Sequence, residues 1–167
     1  PYPDQSKAIK SLAQAARELG DVEIRNLESL YGSDLTAIDV DAEQRAHDGV
    51  DRVVYLFPIH WFNLTPMLKA YLNQVWTYGW AFGPQGQGLR GKTMQVVVTA
   101  GASAHLYSHE GLVQSTIDEV LTPMRACALY VGMHYAKPLA FHEVVNPGSE
   151  QLASQRDGLL NVLRSHA

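Results

Sequence analysis

The chain has 167 residues, 46% of them hydrophobic, with a formal net charge of -4 at pH 7 and one cysteine, Cys127. A chain of this size buries one good core and reads as a single domain over residues 1–167. Scattered Lys and Arg exclude nucleic acid as the main partner, and a lone cysteine excludes a disulfide framework or a thiolate metal cluster. No apolar stretch approaches the about 18 residues of a membrane span, so a reducing cytoplasm is the expected setting.

The chain opens on Pro1-Tyr2-Pro3-Asp4-Gln5-Ser6, which reads as a loop entering a helix and implies a preceding segment. Ile9, Leu12, Ala13, Ala16 and Leu19 follow helical spacing, with Gly20 placed to stop the helix. Residues 22–27, Val-Glu-Ile-Arg-Asn-Leu, alternate like a strand near a sheet edge. Residues 29–39 read as a long loop, followed by a short helix at 41–47 capped by Asp41. Residues 53–57 are continuously apolar, the mark of a strand covered on both faces. Thr65 then caps a helix with Pro66 at its first position and an apolar stripe of Leu68, Tyr71, Leu72, Val75 and Trp76.

Gly83-Pro84-Gln85-Gly86-Gln87-Gly88 follows a helix and precedes a strand, the wrong context for a phosphate-binding motif, and reads as a flexible loop. A second buried strand spans 94–99. The helical period of Ile117, Val120, Leu121, Met124 and Ala128 meets Pro123, which either kinks that helix or starts a new one. A last strand falls within 137–145, and Pro147-Gly148-Ser149 leads into a closing helix. This alternation implies an open, doubly wound α/β sheet with right-handed crossovers.

Three strand-end loops carry the candidate chemistry, because ligands bind such sheets at the carboxyl ends of the strands. At residues 1–7, Ser6 and Lys7 stand at a helix N-terminus suited to a phosphate, although Ser6 also serves as an ordinary N-cap. At residues 58–65, Trp61 and Phe62 are either core or the walls of a site for a flat heterocycle. At residues 99–107, Gly101 permits close backbone approach and Tyr107 offers a hydroxyl. His105 and His109 are spaced i,i+4 without a third metal ligand, and no nucleophile elbow is present. Cys127 reads as buried and inert.

Pro58-Ile59-His60-Trp61-Phe62 followed by Pro66-Met67-Leu68-Lys69 resembles the signature of the flavodoxin-like NAD(P)H:quinone oxidoreductases. The likeness continues through Tyr78-Gly79-Trp80-Ala81-Phe82-Gly83 and Thr99-Ala100-Gly101-Ala102, and is strongest to the short bacterial branch that includes ancillary subunits of glutathione-gated potassium efflux systems. The resemblance implies a three-layer sandwich with a parallel five-stranded sheet of order 2-1-3-4-5, whose first strand would precede Pro1. It implies that Ser6, Lys7, Ala8 and Ile9 surround a flavin phosphate. Pro58, Ile59, His60, Trp61 and Phe62 would border the ring, with Thr99, Ala100, Gly101 and Ala102 at its pyrimidine side.

Tyr107 and His60 are the catalytic candidates, and Trp80 and Phe82 match a segment that completes the partner's site in a homodimer. The implied activity is two-electron, ping-pong transfer from NAD(P)H through FMN to a quinone. FMN is favoured over FAD by the short run after the last strand. The alternatives are a regulatory subunit of a membrane potassium-efflux antiporter, peripheral at the inner face of the membrane, and a flavodoxin-type electron carrier. Two departures stand out: the usual T-T-G-G reads T-A-G-A, and Val113 occupies the place of a histidine that assists hydride transfer in animal enzymes.

Overall fold

The computed structural model describes residues 6–165. The leading loop residues 1–5 lie outside the described residues. In chain order the elements are α1 (Lys7–Arg17), α2 (Leu27–Tyr31), α3 (Val40–Arg45), β1 (Arg52–Pro58), α4 (Pro66–Val75), β2 (Thr93–Thr99), α5 (Ile117–Val120), α6 (Thr122–Tyr130), β3 (His134–Tyr135), β4 (Leu139–Phe141) and α7 (Ser149–Arg164). All strand pairs are parallel: β1 on β2, with β3 and β4 both along the other edge of β2.

The apolar runs form strands because helices cover both of their faces. Tyr55 and Phe57 of β1, with Met94, Val96 and Val98 of β2, pack against Leu68, Leu72 and Val75 of α4 and Met124 and Ala128 of α6. The alternate residues Val54, Leu56 and Val97 face Leu12 and Ala16 of α1 and Leu159 of α7. The result is three layers: the doubly wound α/β sheet expected from the alternation of elements, in the sandwich that the family resemblance implied. Met94, Val96, Val97 and Val98 are fully buried, each contributing on the order of 1.5–3 kcal/mol from water exclusion.

Several local predictions hold for their stated reasons. Thr65 accepts a hydrogen bond from the Leu68 N–H and Pro66 opens α4, while Gly20 ends the first helical segment at φ +80°. Pro123 sits in the first turn of α6, so it starts a new helix after α5 rather than kinking one.

Other predictions need correction. Residues 22–26 form no strand, because no strand among the described residues presents N–H and C=O groups for them to pair with. Val22 and Ile24 still pack into the α1/α7 layer. The predicted loop 29–39 begins inside α2, and the next helix is capped by Asp39, whose carboxylate accepts from Ala42 N–H, not by Asp41. The last strand, β4, does fall within the expected 137–145, but a two-residue strand, β3, precedes it unforeseen, and the register on β2 slips by one residue between Met94↔Tyr135 and Val97↔Leu139. That extra residue is a bulge containing Pro138, which has no N–H to donate. Buried Gln95 bridges the break by donating to the Lys137 carbonyl at 2.9 Å.

Candidate functional site

Parallel register brings three strand ends side by side. Pro58 pairs with Thr99, and Thr99 with Phe141. The Ile59 N–H donates to Thr99 O at 2.9 Å and the Ala100 N–H to Phe141 O at 2.8 Å, so the chains leaving β1, β2 and β4 are tied together at their exits. In an open parallel sheet this edge is where a ligand is expected, which makes it the candidate site.

The first exit is a tight turn. His60 and Asn63 exchange backbone hydrogen bonds at 3.2 and 3.0 Å, and the two residues between them, Trp61 and Phe62, have φ of 48° and 60°. Positive φ at both central positions is the pattern of a type I′ turn, normally filled by Gly, Asn or Asp. Placing two aromatic residues there costs on the order of 1–2 kcal/mol each. The turn survives because both flanks are fixed, by β1 on one side and by the Thr65-capped α4 on the other. Their N–H groups find no acceptor among the described residues. Trp61 is 93% exposed and Phe62 is 44% exposed, so neither ring is core.

The second exit carries Thr99 and Ala100, both buried, then exposed Gly101. A Cβ on Gly101 would stand 3.1 Å from Val145 Cγ2, tighter than ordinary contact. Ala102 avoids the left-handed region, so the T-A-G-A variant carries no backbone strain at its last residue. The loop then folds back over itself. Leu106 N–H donates to Ser103 O, Val113 N–H donates to Leu106 O, and Gly111 is packed so closely that a Cβ would fall 2.0 Å from His105 O. His109 donates from Nε2 to Glu119 Oε2 at 2.9 Å, the same oxygen that accepts from Thr116 in the capping box of α5. This loop holds the Tyr107 ring 5.9 Å from that of Phe62, edge to face. Burial pushes the Tyr107 phenol above its ordinary pKa, and burial lowers that of half-buried His60.

The third exit supplies residues that the sequence reading missed. His142 follows β4 directly, and its ring lies 5.7 Å from that of Tyr107. Its Nδ1 is buried without a hydrogen-bond partner. Glu143 has φ +58° and is held there by its N–H on Ala102 O, while Gln151 of α7 donates to the carbonyls of both His142 and Glu143. The available signal was position: a histidine at the carboxyl end of a predicted strand.

The remaining candidates separate into two places. Ser6 occupies the N-cap of α1, but its side chain makes no capping bond, and the first turn contains no acidic residue. Among the described residues, neither the cap side chain nor the first turn offsets the positive end of this helix, where Lys7 is exposed, Ala8 buried and Ile9 half-buried. Trp80 and Phe82 are elsewhere. They follow α4, whose ten residues carry the chain about 15 Å away from the strand ends. Trp80 meets His47 edge-on at 5.3 Å, and Phe82 packs between Tyr78 and Tyr130 at 5.8 Å from each. The glycine-rich segment is bound to this cluster: Gly88 N–H donates to Trp80 O at 2.9 Å, and a Cβ there would strike the indole. Cys127 is half-buried against the core rather than fully buried.

A family model described as "Flavodoxin-like fold" matches residues 1–165. The chain belongs to the flavodoxin-like family. It is 33% identical over 153 residues to general stress protein 14 of Bacillus subtilis, covering 92% of this chain and 86% of that protein. General stress protein 14 of Treponema denticola, solved in complex with FMN, is 34% identical with a TM-score of 0.92, covering 99% of this chain and 94% of that one. A structure described as a thermophilic tryptophan halogenase of Streptomycin violaceusniger is 32% identical with a TM-score of 0.92, over 98% and 94% of the two chains. An NADPH-quinone reductase of P. pentosaceus shares the fold at 22% identity and a TM-score of 0.88, over 100% and 95%.

The flavodoxin-like strand-end site fits a flavin on its own features. Among the described residues it combines two amides without an acceptor in a clamped turn, a helix N-terminus with no acidic residue in its first turn, an unpartnered buried nitrogen on His142 and a cramped glycine at position 101. No helix among the described residues is long and apolar enough to cross a membrane, and no group of three or more metal-ligating side chains occurs among them.

Proposed function

We propose that this chain is an FMN-dependent NAD(P)H:quinone oxidoreductase. The observation that carries the reading is the strained Trp61–Phe62 turn, which presents two unpaired N–H donors and two exposed aromatic rings where three strand ends converge. Bound FMN would supply the two-electron chemistry, receiving a hydride from NAD(P)H and returning both electrons to a quinone in a second step.

The residues supply position and polarity. The Trp61 and Phe62 amides would bond the edge of the ring, and Thr99, Ala100, Gly101 and Ala102 would approach its pyrimidine side, with Pro58 and Ile59 beneath the turn. The N-terminus of α1, with Ser6, Lys7, Ala8 and Ile9, would receive the phosphate through its backbone N–H groups and dipole. The Tyr107 hydroxyl would donate to an oxygen on which negative charge develops, a role suited to a phenol kept protonated by burial. His60 would exchange protons near neutral pH. Trp80 and Phe82, at the far end of α4, would serve a site on a second copy in a homodimer.

The test is direct. The purified full-length protein should be yellow or take up added FMN, and mass spectrometry of the released cofactor should identify FMN rather than FAD. NAD(P)H should then reduce it in one two-electron phase, and a quinone should reoxidise it. A colourless protein that takes up no FMN overturns the proposal.

A further inference from the structure

The Tyr107 hydroxyl makes no hydrogen bond to the described residues, and the nearest ring on the β4 side is His142, 5.7 Å away between centroids and tilted by 51°. His142 Nδ1 is itself buried with no partner. A polar atom buried without a partner is costly to leave unsatisfied, and this one belongs to the ring packed against Tyr107, whose hydroxyl also lacks a partner among the described residues. The backbone on the His142 side is built to hold that ring in place. Glu143 takes a left-handed φ, anchored to Ala102, and Gln151 fixes the carbonyls of His142 and Glu143.

We infer that His142 positions Tyr107: its Nδ1–H donates to Tyr107 Oη in solution with or without a bound ligand, which turns the phenolic O–H toward the oxygen of the electron acceptor when one binds. A hydroxyl oxygen that accepts from a fixed donor has its own hydrogen left for the ligand. No proton leaves either residue, and His142 acts through Tyr107 rather than on the acceptor. The inference deepens the reading of this site as a quinone reductase, and rests on it for the identity of the acceptor.

Side-chain geometry provides the test. Asparagine places an amide donor where Nδ1 stands, whereas phenylalanine keeps the ring shape and no donor. His142→Phe should slow reoxidation of the reduced enzyme by a quinone about threefold, no more than Tyr107→Phe does, and leave NAD(P)H-driven flavin reduction unchanged, and His142→Asn should recover most of the loss. In a Tyr107→Phe background, His142→Phe should add no further slowing, as coupled residues do in a double-mutant cycle. A second readout needs no flavin. Nitrogen-15 spectra of the histidine rings should show His142 protonated at Nδ1, and the Tyr107 ring carbon bearing the hydroxyl should shift in His142→Phe and return in His142→Asn.

If the protein binds no flavin, the functional proposal fails while these spectra still decide the pairing. If His142 carries its proton on Nε2 alone, or if asparagine behaves like phenylalanine, or if the two substitutions slow reoxidation independently, the positioning role is wrong.

Discussion

Trp61→Gly separates what the aromatic turn costs the free protein from what it provides to a ligand. Trp61 is 93% exposed at φ 48°, so its ring contributes almost no burial in the free chain while its backbone sits in a conformation that disfavours L-residues. Relief of that conformation is worth about 1–2 kcal/mol, and the greater freedom of glycine in the unfolded chain returns about 0.5–1 kcal/mol of it. The net change lies between about zero and 1.5 kcal/mol in the stabilising direction. For a chain of this length that raises Tm by no more than about 6 °C.

FMN affinity should move the other way, because removing an aromatic wall from a flat heterocycle costs about 1–3 kcal/mol, or roughly 5- to 150-fold in Kd. Trp61→Asn is the control, since asparagine tolerates a left-handed φ and keeps the turn without the ring. Both variants should lose similar affinity. The assays are thermal melts of the apoprotein and titration of FMN by loss of its fluorescence. A drop of more than 5 °C in the apoprotein Tm, or an unchanged FMN Kd, would refute the reasoning.

Three further substitutions probe the surroundings. Tyr107→Phe should slow quinone-driven reoxidation by roughly 3- to 10-fold, the worth of one hydrogen bond of about 0.5–1.5 kcal/mol, without changing flavin reduction; stopped-flow traces with both half-reactions unchanged would remove Tyr107 from the mechanism. Glu43→Ala should destabilise by about 2–3 kcal/mol in urea unfolding. It removes a carboxylate that is 1% exposed and accepts from Arg25 and Tyr31, the figure being reduced because the Arg25 side chain is 30% exposed. A loss below about 1 kcal/mol would mean that water replaces the carboxylate.

The His109–Glu119 pair should clamp the Tyr107 loop most firmly in mildly acidic solution. Its hydrogen bond to Glu119 raises the His109 pKa above 6.5, so that contribution is complete below 6.5 and lost as pH rises through the raised value. The Thr116 backbone, with His109, holds Glu119 at about 2, well below its usual 4.5, so its contribution is present above 4.5 and lost as pH falls through about 2. An NMR titration of His109 with a midpoint at or below 6.5 would refute the clamp.

The elements legible in the sequence are those whose cause is local or periodic. The strands at β1 and β2 show as continuous apolar runs because both faces are covered, and α4 shows as a capped stripe because Thr65, Pro66 and the buried positions all agree. Residues 22–26 misled for the opposite reason. Their alternation is real, and Val22 and Ile24 do turn inward, but a strand also needs a neighbour's N–H and C=O groups, which a pattern of side chains does not report. The break between β3 and β4 was hidden likewise, since a one-residue slip in register leaves the composition of 134–141 unchanged.

The site divides along the same line. Trp61, Phe62, Gly101 and Tyr107 are legible through family resemblance and strand-end position, whereas the left-handed turn that makes Trp61 and Phe62 informative is written in no residue preference. Preference argues against it, because the motif sets two aromatic side chains where glycine or asparagine would be unstrained. The strain at 61 and 62 and the left-handed Glu143 face one another across Tyr107, one at the end of β1 and the other at the end of β4. Each is held by hydrogen bonds to a neighbouring strand end or helix rather than by its own sequence. Strain placed on both sides of one phenol, and anchored from outside in each case, is what a preorganised binding edge requires. It also explains why His142, with no motif of its own, emerged only once the ends of the sheet were in register.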